Sequence, residues 1–174
     1  MKSLCKPLLT FYFLTIFCTA FSQRDSTEFI DMQLTEKRFG LLAGYNFWHF
    51  HYMEVGASYS YLSVLDRAYP YAWATFVSSE IFINKTPIFG FKAGGWISGT
   101  AAGLAVGANA IYYTDFDEGS FQLRPEVGFG VGPIKIVYGY NFPITNKDFG
   151  RTNSHNISLT FLIPLKRSSS FEIE

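Results

Sequence analysis

Cysteine is almost absent from this chain. Its 174 residues include only Cys5 and Cys18, and both precede the signal-peptide cleavage site predicted below. The mature chain is therefore expected to contain no cysteine, which excludes disulfides, thiolate metal sites and a cysteine nucleophile. It must fold without covalent cross-links.

A hydrophobic run long enough to span a membrane as a helix is also lacking at the start of the chain. The run from Leu8 to Phe17 is much shorter than the roughly 20 residues that a membrane helix needs. Lys2 and Lys6 flank its beginning, and the small residues of Ala20-Phe21-Ser22 follow it. This pattern predicts a signal peptide over residues 1–22, removed before Gln23.

Two other interpretations of this start are less favoured. A retained anchor is disfavoured because Asp25, Glu28 and Asp31 follow soon after the apolar run. Cys18 raises the possibility of a lipoprotein, but Ile16 and Phe17 are bulky at positions where lipidation requires small residues.

The chain also lacks an excess of charge of one sign. The chain has 14 basic and 14 acidic residues, and loss of Lys2 and Lys6 leaves 12 against 14, a mature charge near −2. No nucleic-acid partner is expected from this balance. About 150 mature residues are enough for one domain. The aromatic content of 19% is high for a soluble protein of that size.

Strict alternation of residue types is what the chain has in abundance. Phe39, Leu41, Ala43, Tyr45 and Phe47 share one parity, and the residues between them are mostly glycine or polar. A period of two is typical of a β-strand. Similar runs occupy residues 39–47, 53–61, 71–83, 89–97, 104–113, 121–129, 134–142 and 157–165. The sequence therefore predicts eight strands, with a tight turn at Gly132-Pro133 before the seventh.

The residue types on the two faces indicate which face points inward. A soluble barrel has an apolar interior and a charged exterior. Here the second face is glycine, serine, asparagine and a few charges, which suits the narrow interior of an eight-stranded barrel. The apolar face would then contact lipid. The predicted fold class is all-β: an eight-stranded antiparallel up-and-down transmembrane β-barrel with a filled lumen.

One segment also matches a membrane helix. Gly94 to Thr114 is uncharged, and Gly95, Gly99, Gly103 and Gly107 have the spacing of helix-packing motifs. A helix is disfavoured because the segment has few large aliphatic residues and begins inside an alternating run. Two strands joined by a turn around residues 98–101 are expected instead. The favoured outward residues of the fifth strand are Leu104, Val106, Ala108, Ala110 and Tyr112.

The connections can be assigned to two ends if Gln23 begins in the periplasm. The connections at residues 48–51, 84–87, 114–120 and 143–154 would then be external. Those at residues 63–70, 98–101 and 131–133 would be periplasmic turns. The longest polar connection falls outside, as long loops do in outer-membrane barrels.

The whole pattern resembles the small outer-membrane barrels of the OmpA/OmpX type. The tract Leu123-Arg124-Pro125-Glu126, together with Tyr138-Gly139-Tyr140-Asn141, is similar to one set of uncharacterised small barrels. The resemblance covers Lys37 to Leu165. It implies a location in the cell outer membrane of a Gram-negative type of bacterium, contact with its lipid, and insertion by the barrel assembly machinery. It leaves the oligomeric state open.

The resemblance also sets the expected domain limits. Residues 23–36 would form a periplasmic N-terminal segment, residues 37–165 the barrel and residues 166–174 a polar tail. The tail is a departure from the pattern, because many such barrels end on an aromatic residue, whereas this chain continues past Leu165 into Lys166 and Arg167.

Six charged residues fall on the predicted inward face, three acids and three bases. They are Glu54, Glu80, Lys92, Arg124, Glu126 and Lys135. We expect a buried ion-pair network that fills the lumen, because buried charges must be paired. A gated proton or ion path, or an acid–base pair, is the alternative.

Other candidates for chemistry are few. His49 and His51 lie near a rim, where they could bind a metal or lie at the membrane interface. His155 and Ser158 fall on opposite strand faces, which argues against the simplest lipid-deacylase site. Asp115, Asp117 and Glu118 form an acidic loop that could hold a divalent cation or simply be a solvated turn ended by Gly119.

The sequence consequently predicts no catalytic residue, no cofactor and no metal site. A non-enzymatic barrel with a structural or interaction role is favoured. An outer-membrane lipid-modifying enzyme is the alternative. A narrow pore is a third interpretation, disfavoured because Trp48, Trp96 and Tyr113 are expected to obstruct the lumen.

Overall fold

The computed structural model describes residues 32–65, 70–82, 87–99, 103–131, 133–150 and 152–173. All regular secondary structure in these ranges is β-strand. None of these residues belongs to a helix long and apolar enough to cross a membrane. The predicted signal peptide, most of the predicted segment 23–36, and Gly132 of the predicted tight turn lie outside the described residues.

Nine strand segments follow one another along the chain. They are β1 (Met32–Phe47), β2 (His51–Leu65), β3 (Tyr71–Phe82), β4 (Ile88–Gly99), β5 (Leu104–Thr114), β6 (Gly119–Val131), β7 (Ile134–Tyr140), β8 (Phe142–Pro143) and β9 (His155–Ile173). The two-residue β8 pairs with β6, as β7 does, and only Asn141 separates the two. Together β7 and β8 act as one strand, so the sheet has the eight strands that the sequence predicts.

The sheet closes into a ring. From β1 to β7, each strand pairs antiparallel with the next along the chain, and β9 pairs with both β7 and β1. This confirms the prediction of an all-β, antiparallel, up-and-down arrangement of eight strands. Closure gives almost every strand a partner on both sides, which satisfies the backbone hydrogen-bonding groups.

The strands are staggered as they pass around the ring. A path that starts at Leu62 of β2 and crosses from partner to partner around the whole ring makes eight steps. It returns to β2 at Tyr52, ten residues earlier. The steps pass through Ala72, Ser98, Ala105, Gly128, Val137, Ser158 and Asn46. Such a stagger requires the strands to tilt relative to the ring axis, typically by about 35–45°. It also brings side chains from distant parts of the sequence to one level.

The described residues of the glycine-spaced segment form two paired strands. β4 ends at Gly99 and β5 begins at Leu104, and the two pair along their length, from Phe89 opposite Thr114 to Gly99 opposite Leu104. Gly103, with a φ of 66°, lies in the connection, where the absence of a side chain allows the left-handed conformation. The favoured orientation of the fifth strand is also confirmed, because Leu104, Val106 and Tyr112 are exposed.

The two faces of the ring differ in the way the alternation predicts. Among the described residues, 20 polar or charged residues are buried against 11 apolar ones. Exposed large hydrophobic side chains, in contrast, occur on every one of the eight strands. Examples are Val55, Val77, Phe91 and Val127. The polar face therefore lines the interior and the apolar face forms the outer surface.

The pairing extends past the predicted limits of 37–165. β1 already begins at Met32 and β9 continues to Ile173, with Gln33 opposite Glu172. The register between β1 and β9 shifts between Phe39 and Gly40. On the N-terminal side of this shift, β1 still pairs with β9 and also with β2. Residues 32–36 and 166–173 alternate weakly, but each gives the other a hydrogen-bonding partner, and this explains why both are strands.

Candidate functional site: a charged cluster inside the ring

The six charged residues predicted to face inward all lie inside the ring. Glu54, Glu80, Lys92, Arg124, Glu126 and Lys135 are each at most 5% exposed. They come from β2, β3, β4, β6 and β7, and each has the parity of the inner face. The structure brings all six together in one charged cluster.

Arg124 and Glu80 form the centre of the charged cluster. Arg124 Nη1 lies 2.6 Å from Glu80 Oε1, and Nη2 lies 3.1 Å from Oε2, which is the bidentate geometry of a strong pair. Arg124 Nε donates to Asn141 Oδ1 at 2.6 Å, and Nη2 donates to the Tyr113 hydroxyl at 2.6 Å. The Tyr113 hydroxyl in turn donates to Glu80. The guanidinium and the carboxylate thus each have more than one hydrogen-bond partner.

Lys92 extends the cluster across the ring. Its Nζ lies 3.0 Å from Glu54 and 3.2 Å from Glu80, and 4.0 Å from Glu126. Glu126 is bonded to Lys135 Nζ at 2.9 Å. A continuous chain of opposite charges therefore runs from β2 to β7.

Uncharged side chains join the charged cluster to the remaining wall. Glu54 accepts hydrogen bonds from Asn46 Nδ2 at 3.0 Å and from Ser78 Oγ at 2.6 Å. Asn46 also accepts from Ser158, whose hydroxyl accepts from Asn156 Nδ2 at 2.6 Å. β1 and β9 are thereby tied to the same network.

The chemistry of the charged cluster favours a structural role. Three acids face three bases, so the cluster is neutral, and its ion pairs are hydrogen-bonded as buried pairs must be. An acid–base catalyst needs contact with a substrate. No charged side chain of the cluster is more than 5% exposed, so a substrate would have to enter the filled interior to reach one.

An apolar group of buried side chains, the loop-end plug, lies at the end of the ring that carries the longer connections. It consists of Tyr52, Ile88, Ile111, Tyr113 and Phe149, with Phe50 and Phe82 packed against it. Asn153 holds the connection between β1 and β2 in place. Its Oδ1 accepts hydrogen bonds from the backbone N–H groups of His49 at 3.0 Å and Phe50 at 2.8 Å, and its Nδ2 donates to the Phe50 carbonyl at 2.7 Å.

A second apolar group, the terminus-end plug, lies on the other side of the charged cluster. It consists of Leu42, Ala74, Phe76 and Trp96, with Ala72 and Leu162 packed against it. Lys92 Nζ and Lys135 Nζ lie 5.3 Å and 5.5 Å from the centre of the Phe76 ring, within the range of cation–π attraction. The charged cluster is thus enclosed between two apolar layers.

Of the three aromatic residues expected to obstruct the lumen, two are buried inside the ring and one is exposed. Tyr113 belongs to the loop-end plug and Trp96 to the terminus-end plug. The prediction for Trp48 is wrong, because this residue is 47% exposed in the bend after β1 and its ring lies 5.4 Å from that of His155. In a bend, side chains no longer alternate between the two faces of the sheet. The alternation of the strand therefore does not predict the direction of the Trp48 side chain.

In the part of the chain that the structure describes, no group of three or more possible metal ligands is found. His51 Nδ1 lies 2.7 Å from the Tyr45 hydroxyl, and His155 Nδ1 lies 2.6 Å from that of Tyr138. The acidic loop is organised as a turn, since Asp115 Oδ1 accepts from the backbone N–H groups of Asp117 and Glu118.

Sequence reasoning missed three participants of the interior. Tyr113 and Asn141 bond to Arg124, and Phe76 lies beside both lysines. Parity alone places Phe76 on the inner face, but it does not show which inner residues meet. Comparison of the chain with known protein families, with curated proteins and with solved structures finds no match.

Proposed function

We propose that this protein is an integral outer-membrane β-barrel with a structural or interaction role and no enzymatic activity. The observation that carries the proposal is the inverted polarity of the ring, which is charged and polar inside and apolar outside. The predicted signal peptide supports export from the cytoplasm, and the resemblance to OmpA/OmpX-type barrels supports the same location.

The apolar outer surface favours lipid as its environment. Exposed hydrophobic side chains such as Met53 (59%), Val77 (62%) and Phe129 (57%) occur on strands throughout the ring. Soluble monomers rarely expose contiguous apolar patches of more than a few hundred Å². A closed antiparallel ring is also one of the two architectures whose backbone is satisfied within a bilayer.

Aromatic residues at both ends of the strands support the same proposal. Near one end, the Trp73 ring lies 5.9 Å from Tyr61 in a stacked arrangement and 5.8 Å from Tyr59. Near the other end, Trp48 and Tyr140 contact His155. Membrane barrels carry aromatic girdles at both interfaces, because amphipathic rings prefer the level of the lipid headgroups.

The two plugs favour a non-conducting barrel over a pore. Hydrophobic constrictions exclude water and ions from a channel. The charged cluster lies between two such layers, so its charges have no aqueous path on either side. The enzyme alternative gains no support either, since the Nδ1 atoms of His51 and His155 bond to tyrosine hydroxyls on the outer rim.

The direct experiment is expression in a Gram-negative host, followed by fractionation and electrophoresis with and without boiling. We expect the protein in the outer-membrane fraction, with faster migration when unboiled, because a closed barrel resists unfolding by detergent. A soluble periplasmic protein, or mobility that does not respond to boiling, would contradict the proposal.

A further inference from the structure

A small cavity lies in the interior of the ring beside the terminus-end plug. Its volume is about 30 Å³, and Leu162 and Pro164 of β9 form part of its wall. The polar side chains that line it are those of Arg38, Ser58, Ser60 and Ser98, together with the indole of Trp96. This cavity is separate from the charged cluster.

Two buried hydrogen-bond donors at this cavity have no partner among the described residues. They are Arg38 Nε and Trp96 Nε1, and Trp96 is only 6% exposed. Both groups can only donate, whereas serine hydroxyls can donate or accept. Leaving a buried donor unpaired is costly, so the cavity requires an acceptor.

Two arginines of the described residues share one carboxylate at this end of the ring. Arg38 Nη2 lies 2.5 Å from Glu36, and Arg167 Nε lies 3.7 Å from the same carboxylate. Arg38, which lines the cavity, therefore shares its carboxylate partner with Arg167.

We propose that this cavity is a binding site for a small monovalent anion of the halide type. The anion would accept hydrogen bonds from Arg38 Nε and Trp96 Nε1, and from the hydroxyl of Ser98. A volume of about 30 Å³ gives room for a particle of the size of a water molecule, and a monatomic anion is of that size. The inference goes beyond the proposed function and does not depend on it, because the cavity lies inside the ring whatever covers the outer surface.

Fluorescence of Trp96 tests this site. The chain has three tryptophans, so the double variant Trp48→Phe, Trp73→Phe leaves Trp96 alone. The refolded protein in detergent is titrated with bromide at constant ionic strength, with gluconate as the replaced anion. Bromide quenches an indole on contact, so we expect saturable quenching that chloride reverses. Quenching that is absent, or that rises linearly without saturation, would overturn the proposal.

Two substitutions in the same background locate the effect. Arg38→Gln removes the charge and the Nε donor, and we expect it to weaken the apparent bromide affinity by at least about tenfold, as loss of a hydrogen bond to a charged group does. Lys37→Gln is the matched control, because Lys37 is exposed on the opposite face of the same strand. It removes one charge and is expected to leave the affinity unchanged.

A further variant tests the site in case Arg38→Gln does not fold. If Arg38→Gln fails to show the mobility of the folded protein, Ser98→Ala removes a single hydroxyl and is expected to weaken bromide binding severalfold. Equal quenching in the parent protein and in the folded Arg38 or Ser98 variant would show that the cavity holds water only, and the proposal would fail.

Discussion

At the scale of single residues, Glu80 shows why charges can be buried in this interior. Its side chain is fully buried, yet it accepts hydrogen bonds from Arg124, Lys92 and Tyr113. Each bond replaces a water molecule that the carboxylate loses on folding. Removal of one partner would leave a charge without compensation, which is far more costly than the loss of a surface pair.

Arg124→Gln therefore tests the charged cluster. We expect it to lower the free energy of unfolding by about 3–5 kcal/mol, because Glu80 loses its bidentate partner. Lys147→Gln, in an exposed connection, is the control and should change stability by less than about 0.5 kcal/mol. Urea unfolding of the protein refolded in lipid vesicles measures both values.

The double variant Glu80→Gln, Arg124→Gln completes the thermodynamic cycle. Its cost should be well below the sum of the two single costs, because neither buried charge then lacks its partner. Additive costs would show that the two residues do not stabilise each other.

Glycine positions form a second test at this scale. A Cβ atom at Gly40 would lie 2.1 Å from the Ile163 carbonyl oxygen of the neighbouring strand, where the register shifts. At Gly130, which is also buried, the nearest atom would be 3.5 Å away. We expect Gly40→Ala to destabilise the protein by about 1–3 kcal/mol and Gly130→Ala to be tolerated. Equal urea midpoints for the two variants would contradict this account of the close approach.

At the scale of the strands, alternation decides which side chains face outward. Val77 lies at the centre of β3 and is 62% exposed. A lysine there should cost about 2–4 kcal/mol if the outer surface lies in the bilayer core. On a protein surface in water, the same change would cost no more than about 0.5 kcal/mol.

Ile144→Lys is the matched control for Val77→Lys. Ile144 is 51% exposed but lies just beyond β8, near the end of the strands. A charge there is expected to cost no more than about 1 kcal/mol, because the bilayer interface is close to water. Similar unfolding free energies for the two lysine variants in vesicles would contradict the proposed depth of β3.

The strands were largely predictable from sequence because period two leaves a signal at every residue. The ends were less predictable: Ser168 to Ser170 carry little strand preference and are strands only because β1 pairs with them. The six charged residues were predictable as inward-facing. Their partners were not, because the meeting of Arg124 with Glu80 depends on the ten-residue stagger, which only the pairing of all eight strands defines.

At the scale of the whole molecule, the lumen is layered along its axis. The charged cluster lies between the loop-end plug and the terminus-end plug, and its charged groups are paired with one another across the ring. Such an interior stabilises a small ring that has no disulfide.

The layering predicts that the protein does not conduct ions. Purified protein inserted into a planar bilayer should show no discrete conductance steps above those of the bare membrane. Heat-modifiable mobility of the same sample provides the control for correct folding. Stable, reproducible channel openings from folded protein would show that at least one plug opens.

The most direct test of the central claim is the environment of the outer surface. The mature chain is expected to lack cysteine, so single cysteines can carry nitroxide labels at Val55, Val77 and Val127, with Lys147 as the site in water. In vesicles, we predict that labels at the three valines collide more often with oxygen than with a water-soluble nickel complex, and that the label at Lys147 shows the reverse. Nickel collisions at the valines as frequent as at Lys147 would place the outer surface in water and contradict a membrane barrel.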